Sequence, residues 1–154
     1  MAYASVYAAL SYGSAGLNAV HGIAYAVAGK THRSHGSTNA VMLPYVLDAL
    51  REMRRAELLE VARMFGIGTP DEDAALSALP TIVRDLIGRL GIPTNLRAFG
   101  IQEADLAALV DDAMAVTRLA KAFPVRDVAD SYQRIVRNAF HGRFLETRPL
   151  EGPN

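Results

Sequence analysis

Apolar residues recur along most of this chain with a helical period. Over 37–53 they fall at Val41, Met42, Tyr45, Val46 and Ala49, three and four residues apart, which predicts an amphipathic helix with Pro44 as a kink. The pattern repeats over 55–65 with Leu58, Leu59, Ala62 and Phe65, and Gly66 is placed to cap that helix. Thr69-Pro70-Asp71-Glu72 has the form of a capping box with proline at the first helical position, so a helix is predicted to start there. Pro80 is expected to break or kink it, leaving a second piece over 81–90 that stops at Gly91 and Pro93. Leu106, Leu109, Val110, Ala113, Met114 and Thr117 predict one face of another long helix. Pro124 is expected to open the last one, through Val128, Tyr132, Ile135, Val136 and Ala139. No segment alternates with a period of two, and no Asn-Gly or Asp-Gly hairpin turn occurs, so the class predicted is all-α.

The first 29 residues depart from this pattern. They carry no Lys, Arg, Asp or Glu, and Ala, Gly and Ser make up more than half of them. Ser5, Ser11, Ser14, Asn18 and His21 make the segment too polar for a membrane span, and no basic residue precedes its apolar part as in a signal peptide. Small side chains let helix backbones approach closely, so the segment predicts two buried helices. From Leu145 onward, Pro, Gly and mixed charge predict a loose tail, leaving 1–144 as one helical domain and 145–154 outside it.

Composition narrows the function classes. The 154 residues are 51% hydrophobic and 21% charged, a globular balance. Sixteen basic residues match sixteen acidic ones, giving no electrostatic footprint for nucleic acid or an anionic membrane. Cysteine is absent, which excludes disulfides, thiolate ligands and thiol nucleophiles. That absence is compatible with the cytoplasm, the expected location.

The chemistry is concentrated in histidine. Three of the four histidines, His21, His32 and His35, fall within fifteen residues of a nearly uncharged stretch. Imidazole is the commonest protein metal ligand. His21 and Tyr25 are four apart and share a helix face, and His35, fourteen residues after His21, is placed to open the next helix. Two histidines at adjoining helix ends can meet at one ion, or pack as a hydrogen-bonded pair; spacing alone leaves both readings open. His141 reads as a surface or capping residue. Arg51, Arg54 and Arg55, set among Glu52, Glu57 and Glu60, read as a solvated face.

The run Gly16-Leu-Asn-Ala-Val-His21-Gly-Ile-Ala-Tyr25, followed by His35-Gly36 and then Asn39-Ala40 and Leu43-Pro44, resembles the signature of the iron-containing (group III) alcohol dehydrogenases. A weaker likeness continues through Gly91-Ile-Pro93 and Leu96-Arg97 to Gly100. The resemblance implies the helical C-terminal, metal-binding domain of the dehydroquinate synthase-like fold, with Met1 aligned inside one of its helices. It implies that His21 and His35 are two of four ligands to Fe²⁺ or Zn²⁺. The other two, an Asp and a His, and the domain that binds NAD(P), would lie N-terminal to Met1. Tyr25 stands where many members have a histidine near the nicotinamide, which makes it the candidate catalytic or substrate-contacting residue, with simple packing as the alternative. Ser34 replaces the proline that precedes His35. His32 lies beside the matched positions without belonging to the motif.

The implied function is hydride transfer between a small alcohol or aldehyde and NAD(P), with this chain supplying half of a metal site and inactive alone. Its partners would be that substrate, the nucleotide-binding domain and, in a homo-oligomer, further copies of itself. A stand-alone helical module that binds a partner through its apolar N-terminus, without catalysis, is the alternative.

Overall fold

The computed structural model describes residues 1–144, without the side chains of Ser14 and Ala15; the segment expected as a loose tail lies outside them. Every regular element among the described residues is a helix: α1 (Ala2–Ala15), α2 (Ala19–Thr31), α3 (His35–Leu50), α4 (Arg55–Met64), α5 (Glu72–Arg89), α6 (Leu96–Phe99), α7 (Leu106–Ala115), α8 (Thr117–Lys121) and α9 (Val128–His141), with a 3-10 turn at Glu103–Asp105. The all-α expectation holds.

Helices α2 and α3 are the centre of the packing. α3 lies against α2, α5 and α9, and α2 also lies against α7 and α8. The reason is their sequence: Ile23, Ala24 and Val27 of α2 and Val41, Met42, Tyr45, Val46 and Ala49 of α3 are all at most 3% exposed. Burial on this scale outweighs local propensity. Pro44 removes one helical hydrogen bond, yet α3 runs unbroken past it with Pro44 itself buried. Pro80 is likewise buried inside α5, a single helix rather than the two pieces expected.

Three helix boundaries also differ from expectation. Asp71, not Thr69, caps α5, accepting a hydrogen bond from the Ala74 N–H at 3.1 Å, while Thr69 accepts from the Asp71 N–H. Pro70 therefore stands outside the helix. Asp127 caps α9 in the same way through the Asp130 N–H at 2.9 Å, so α9 opens four residues after Pro124. The long helix expected over 106–117 stops at Val116, whose ψ of 64° ends α7 and redirects the chain into α8. That turn carries Leu119 inward, where it is fully buried beside Gly22 of α2. The Gly66 expectation holds: with φ +76° it ends α4, and the Ile67 N–H reaches back to the Ala62 carbonyl at 3.0 Å.

The largest correction concerns α1. Its side chains lie open to solvent, Tyr3 at 83%, Tyr7 at 70% and Leu10 at 69%. Only the second of the two N-terminal helices expected to be buried is so. α1 is uncharged and its few polar residues form no distinct face, so nothing in its sequence tells it which way to turn.

Candidate metal centre

Two local features bring the N-terminal histidines together. Along α2 the four-residue spacing puts His21 and Tyr25 on one face, with ring centroids 6.4 Å apart and nearly perpendicular. His32 then adopts a left-handed conformation, φ 53°, that ends α2 and reverses the chain. Ser34 caps α3 by accepting from the Ser37 N–H at 3.4 Å, so it supplies as an acceptor what a proline would supply as rigidity. The turn is fastened from outside by an ion pair between Lys30 and Asp105 at 2.8 Å and by Arg33 stacked 5.0 Å over the Phe99 ring.

His35 therefore begins α3 directly against α2. Its ring lies 5.3 Å from that of His21, and it stacks on Tyr25 at 5.2 Å with only 17° between the planes. His21 is half-buried, while Tyr25 and His35 are exposed, so the cluster opens to solvent on one side. Burial holds the His21 imidazole below its ordinary pKa, and the nearby His35 adds to the effect. A neutral imidazole with a free lone pair is the form that binds metal. The donor set suits a borderline divalent ion such as Fe²⁺ or Zn²⁺. No group of three or more His, Asp, Glu or Cys side chains able to hold a metal ion occurs among the described residues, so the pair stands as two donors and no more.

The other candidates fall away from this point. His32 is exposed at the turn and makes no ring contact with the cluster. His141 ends α9 with its ring edge-on to Phe140. Arg55 is not simply solvated: it bridges from α4 to Asp73 and Glu72 of α5 at 2.6 and 3.1 Å.

One residue in the cluster has no role in the sequence reading. Asn39, one turn into α3 from His35, places its side-chain amide nitrogen 2.9 Å from His35 Nε2 and 3.0 Å from the His35 carbonyl oxygen. The i, i+4 spacing was the signal that could have found it.

The fold defines the class, a helical domain of the iron-type alcohol dehydrogenase architecture. The chain superposes on 80% of its length with a crystal structure of 1,3-propanediol oxidoreductase, TM-score 0.72 at 26% identity, covering 33% of that chain. It also shares the fold of an alcohol dehydrogenase from Oenococcus oeni, TM-score 0.71 at 23% identity, over 81% of this chain and 33% of that one. In sequence, the family described as "Fe-containing alcohol dehydrogenase family, C-terminal" matches residues 1–140, and the chain belongs to that family. It is 32% identical over 149 residues to long-chain-alcohol dehydrogenase 1 of Geobacillus thermodenitrificans, covering 95% of this chain and 38% of that protein. It is 34% identical over 117 residues to 1,3-propanediol dehydrogenase of Klebsiella pneumoniae, covering 74% of this chain and 30% of that protein. The match thus spans only 30–38% of these relatives' length.

No helix among the described residues is long and apolar enough to cross a membrane.

Proposed function

We propose that this chain is the helical metal- and substrate-binding part of a cytoplasmic, NAD(P)-linked alcohol dehydrogenase, with His21 and His35 as two ligands of an Fe²⁺ or Zn²⁺ ion. The observation that carries the reading is the meeting of those two imidazoles, 5.3 Å apart, at the α2–α3 junction of a family member. The domain would comprise residues 1–144, and the remaining ligands and NAD(P) would be held by a separate nucleotide-binding part.

Such an ion, when bound, supplies Lewis acidity toward the oxygen of a small alcohol or aldehyde. The chain's own residues prepare the place. Half-burial lowers the His21 pKa, which favours the neutral ring whose lone pair can be donated. The Tyr25 ring covers one face of His35 and excludes water from it, and the hydroxyl can donate a hydrogen bond to a substrate on the open side. The small-residue surface of α2 lets another helix or a substrate come close to the backbone. With two ligands of four, this chain binds metal weakly and transfers no hydride alone.

Calorimetric titration of the chain with Zn²⁺ tests this. Weak binding that His21→Ala and His35→Ala each abolish is the expected result. Unchanged metal affinity and turnover for His35→Ala in a protein carrying both parts would overturn it.

One observation favours a second reading, a non-catalytic module that binds a partner or its own copy. The uncharged α1 exposes Tyr3, Val6, Tyr7 and Leu10. A well-behaved monomer in light scattering across a range of concentrations would exclude self-association and count against that reading.

A further inference from the structure

The amide of Asn39 can be oriented on chemical grounds. The His35 carbonyl oxygen can only accept, so the amide end 3.0 Å from it must be the NH₂. The other end, Oδ1, is then the buried atom, and it has no hydrogen-bond partner among the described residues. Turning the amide over would place two oxygens in contact at the carbonyl, so the observed orientation is the one that the backbone enforces. The second N–H of the same NH₂ points to His35 Nε2 at 2.9 Å. A nitrogen that receives a donor carries a lone pair, so the ring proton of neutral His35 sits on Nδ1.

We propose that Asn39 is a positioning residue for His35, fixing both the ring's place beside His21 and Tyr25 and its tautomer, with the proton on Nδ1 and the lone pair on Nε2. Helix geometry makes the arrangement durable. His35 and Asn39 are four residues apart on α3, so the first turn of α3 brings the amide to the Nε2 edge of the ring. Tyr25, stacked on one face of the ring, limits the remaining rotation. The amide thus holds the lone pair on Nε2; an ion that binds there displaces the Asn39 N–H, while the ring's own proton stays on Nδ1. The inference rests on reading His35 as a metal ligand, but its central claim concerns the metal-free ring.

The test is nitrogen-15 NMR of the imidazoles in the metal-free chain, at a pH where they are neutral. In the wild type, His35 Nδ1 is expected in the protonated range and Nε2 in the unprotonated range. Asn39→Ala is expected to return the ring to the Nε2–H form that a free neutral histidine favours. Asn39→Asp, which can only accept, is expected to draw the proton to Nε2 as well, and more completely. An unchanged tautomer in both variants, or a wild-type ring already protonated at Nε2, would overturn the proposal. The amide spectrum of each variant checks its folding, and a change confined to His35 separates positioning from general loosening. Added Zn²⁺ is a separate arm. If it perturbs His35 Nε2 and leaves Nδ1–H in place, both inferences stand. If it leaves His21 and His35 untouched, the metal reading fails while the tautomer result still decides the role of Asn39.

Discussion

Gly22 of α2 lies directly beneath the hydroxyl of Tyr132 on α9. A Cβ on Gly22 would stand 3.0 Å from that oxygen and 3.6 Å from Leu119 Cβ. Alanine there gains about 1 kcal/mol of helix propensity, whereas overpacking a filled core costs about 1–3 kcal/mol. Tyr132 is fully buried and its ring has little room to retreat. Gly22→Ala is therefore expected to lower stability by about 1 kcal/mol net, read as a lower urea midpoint at unchanged slope.

The same hydroxyl is buried without a hydrogen-bond partner among the described residues, and burial pushes its pKa up to about 12. Leaving a polar atom unpaired in a core is unfavourable. Tyr132→Phe is expected to match or exceed the wild type in thermal midpoint. Combined with Gly22→Ala it should recover part of that variant's loss, since the pair is in direct contact. A clear loss of stability in Tyr132→Phe would mean that the hydroxyl has a partner, such as a buried water.

Acid should weaken the fold in two steps. Folding holds His21 below its ordinary value of 6.5, so near that pH the unfolded chain binds more protons. Stability from this group is complete above 6.5, falls as the pH drops, and levels off once folded His21 is also protonated. Asp105 acts at lower pH: the hydrogen bond from Lys30, and then the Gln102 N–H, hold its carboxyl below its ordinary 3.8. Its contribution is present above 3.8 and is lost as the pH falls through the folded value. Urea midpoints measured against pH should show the upper step vanish in His21→Gln and the lower step remain.

Arg84 fastens α5 to the end of α9. Its Nη1 donates to the Gly142 carbonyl at 3.2 Å, and the guanidinium lies 4.5 Å over the Phe144 ring. Arg84→Ala is expected to cost about 1–2 kcal/mol, the sum of a charged hydrogen bond and a stacked cation at a half-exposed place. Arg84→Lys should recover less than half, because an ammonium lacks the flat, forked shape. Amide exchange in the last turn of α9 should quicken in both.

The sequence exposes most of the helices, because they follow from spacing along the chain; spacing also allows His21 to meet His35, and the family signature singles out that pair. What it hides depends on burial or on neighbours distant in the chain. Pro80 reads as a break or kink because local propensity is against it, and the core packed around it outweighs that propensity, keeping α5 one helix. Asp71 and Asp127 outcompete nearby prolines as helix starts because a side-chain acceptor satisfies an end N–H that proline cannot. The break at Val116 is set by where Leu119 finds room, beside a glycine almost a hundred residues earlier. The exposure of α1 was hidden for a different reason: an apolar sequence states a need for cover without naming what supplies it. Tyr25 was placed on the right helix face, but its stacking on His35 depends on how two helices cross.

The turn between α2 and α3 is only three residues long, His32 to Ser34, and both histidines of the cluster lie on the two helices it joins. Contacts this local close quickly, because little chain entropy is lost in forming them. The imidazoles can therefore be paired as soon as one helical hairpin forms, before α5, α7 and α9 have docked. In kinetic terms, a cation that prefers the paired histidines would find its first two donors on an early folding species, and could act on the rate of folding as well as on the stability of the finished domain.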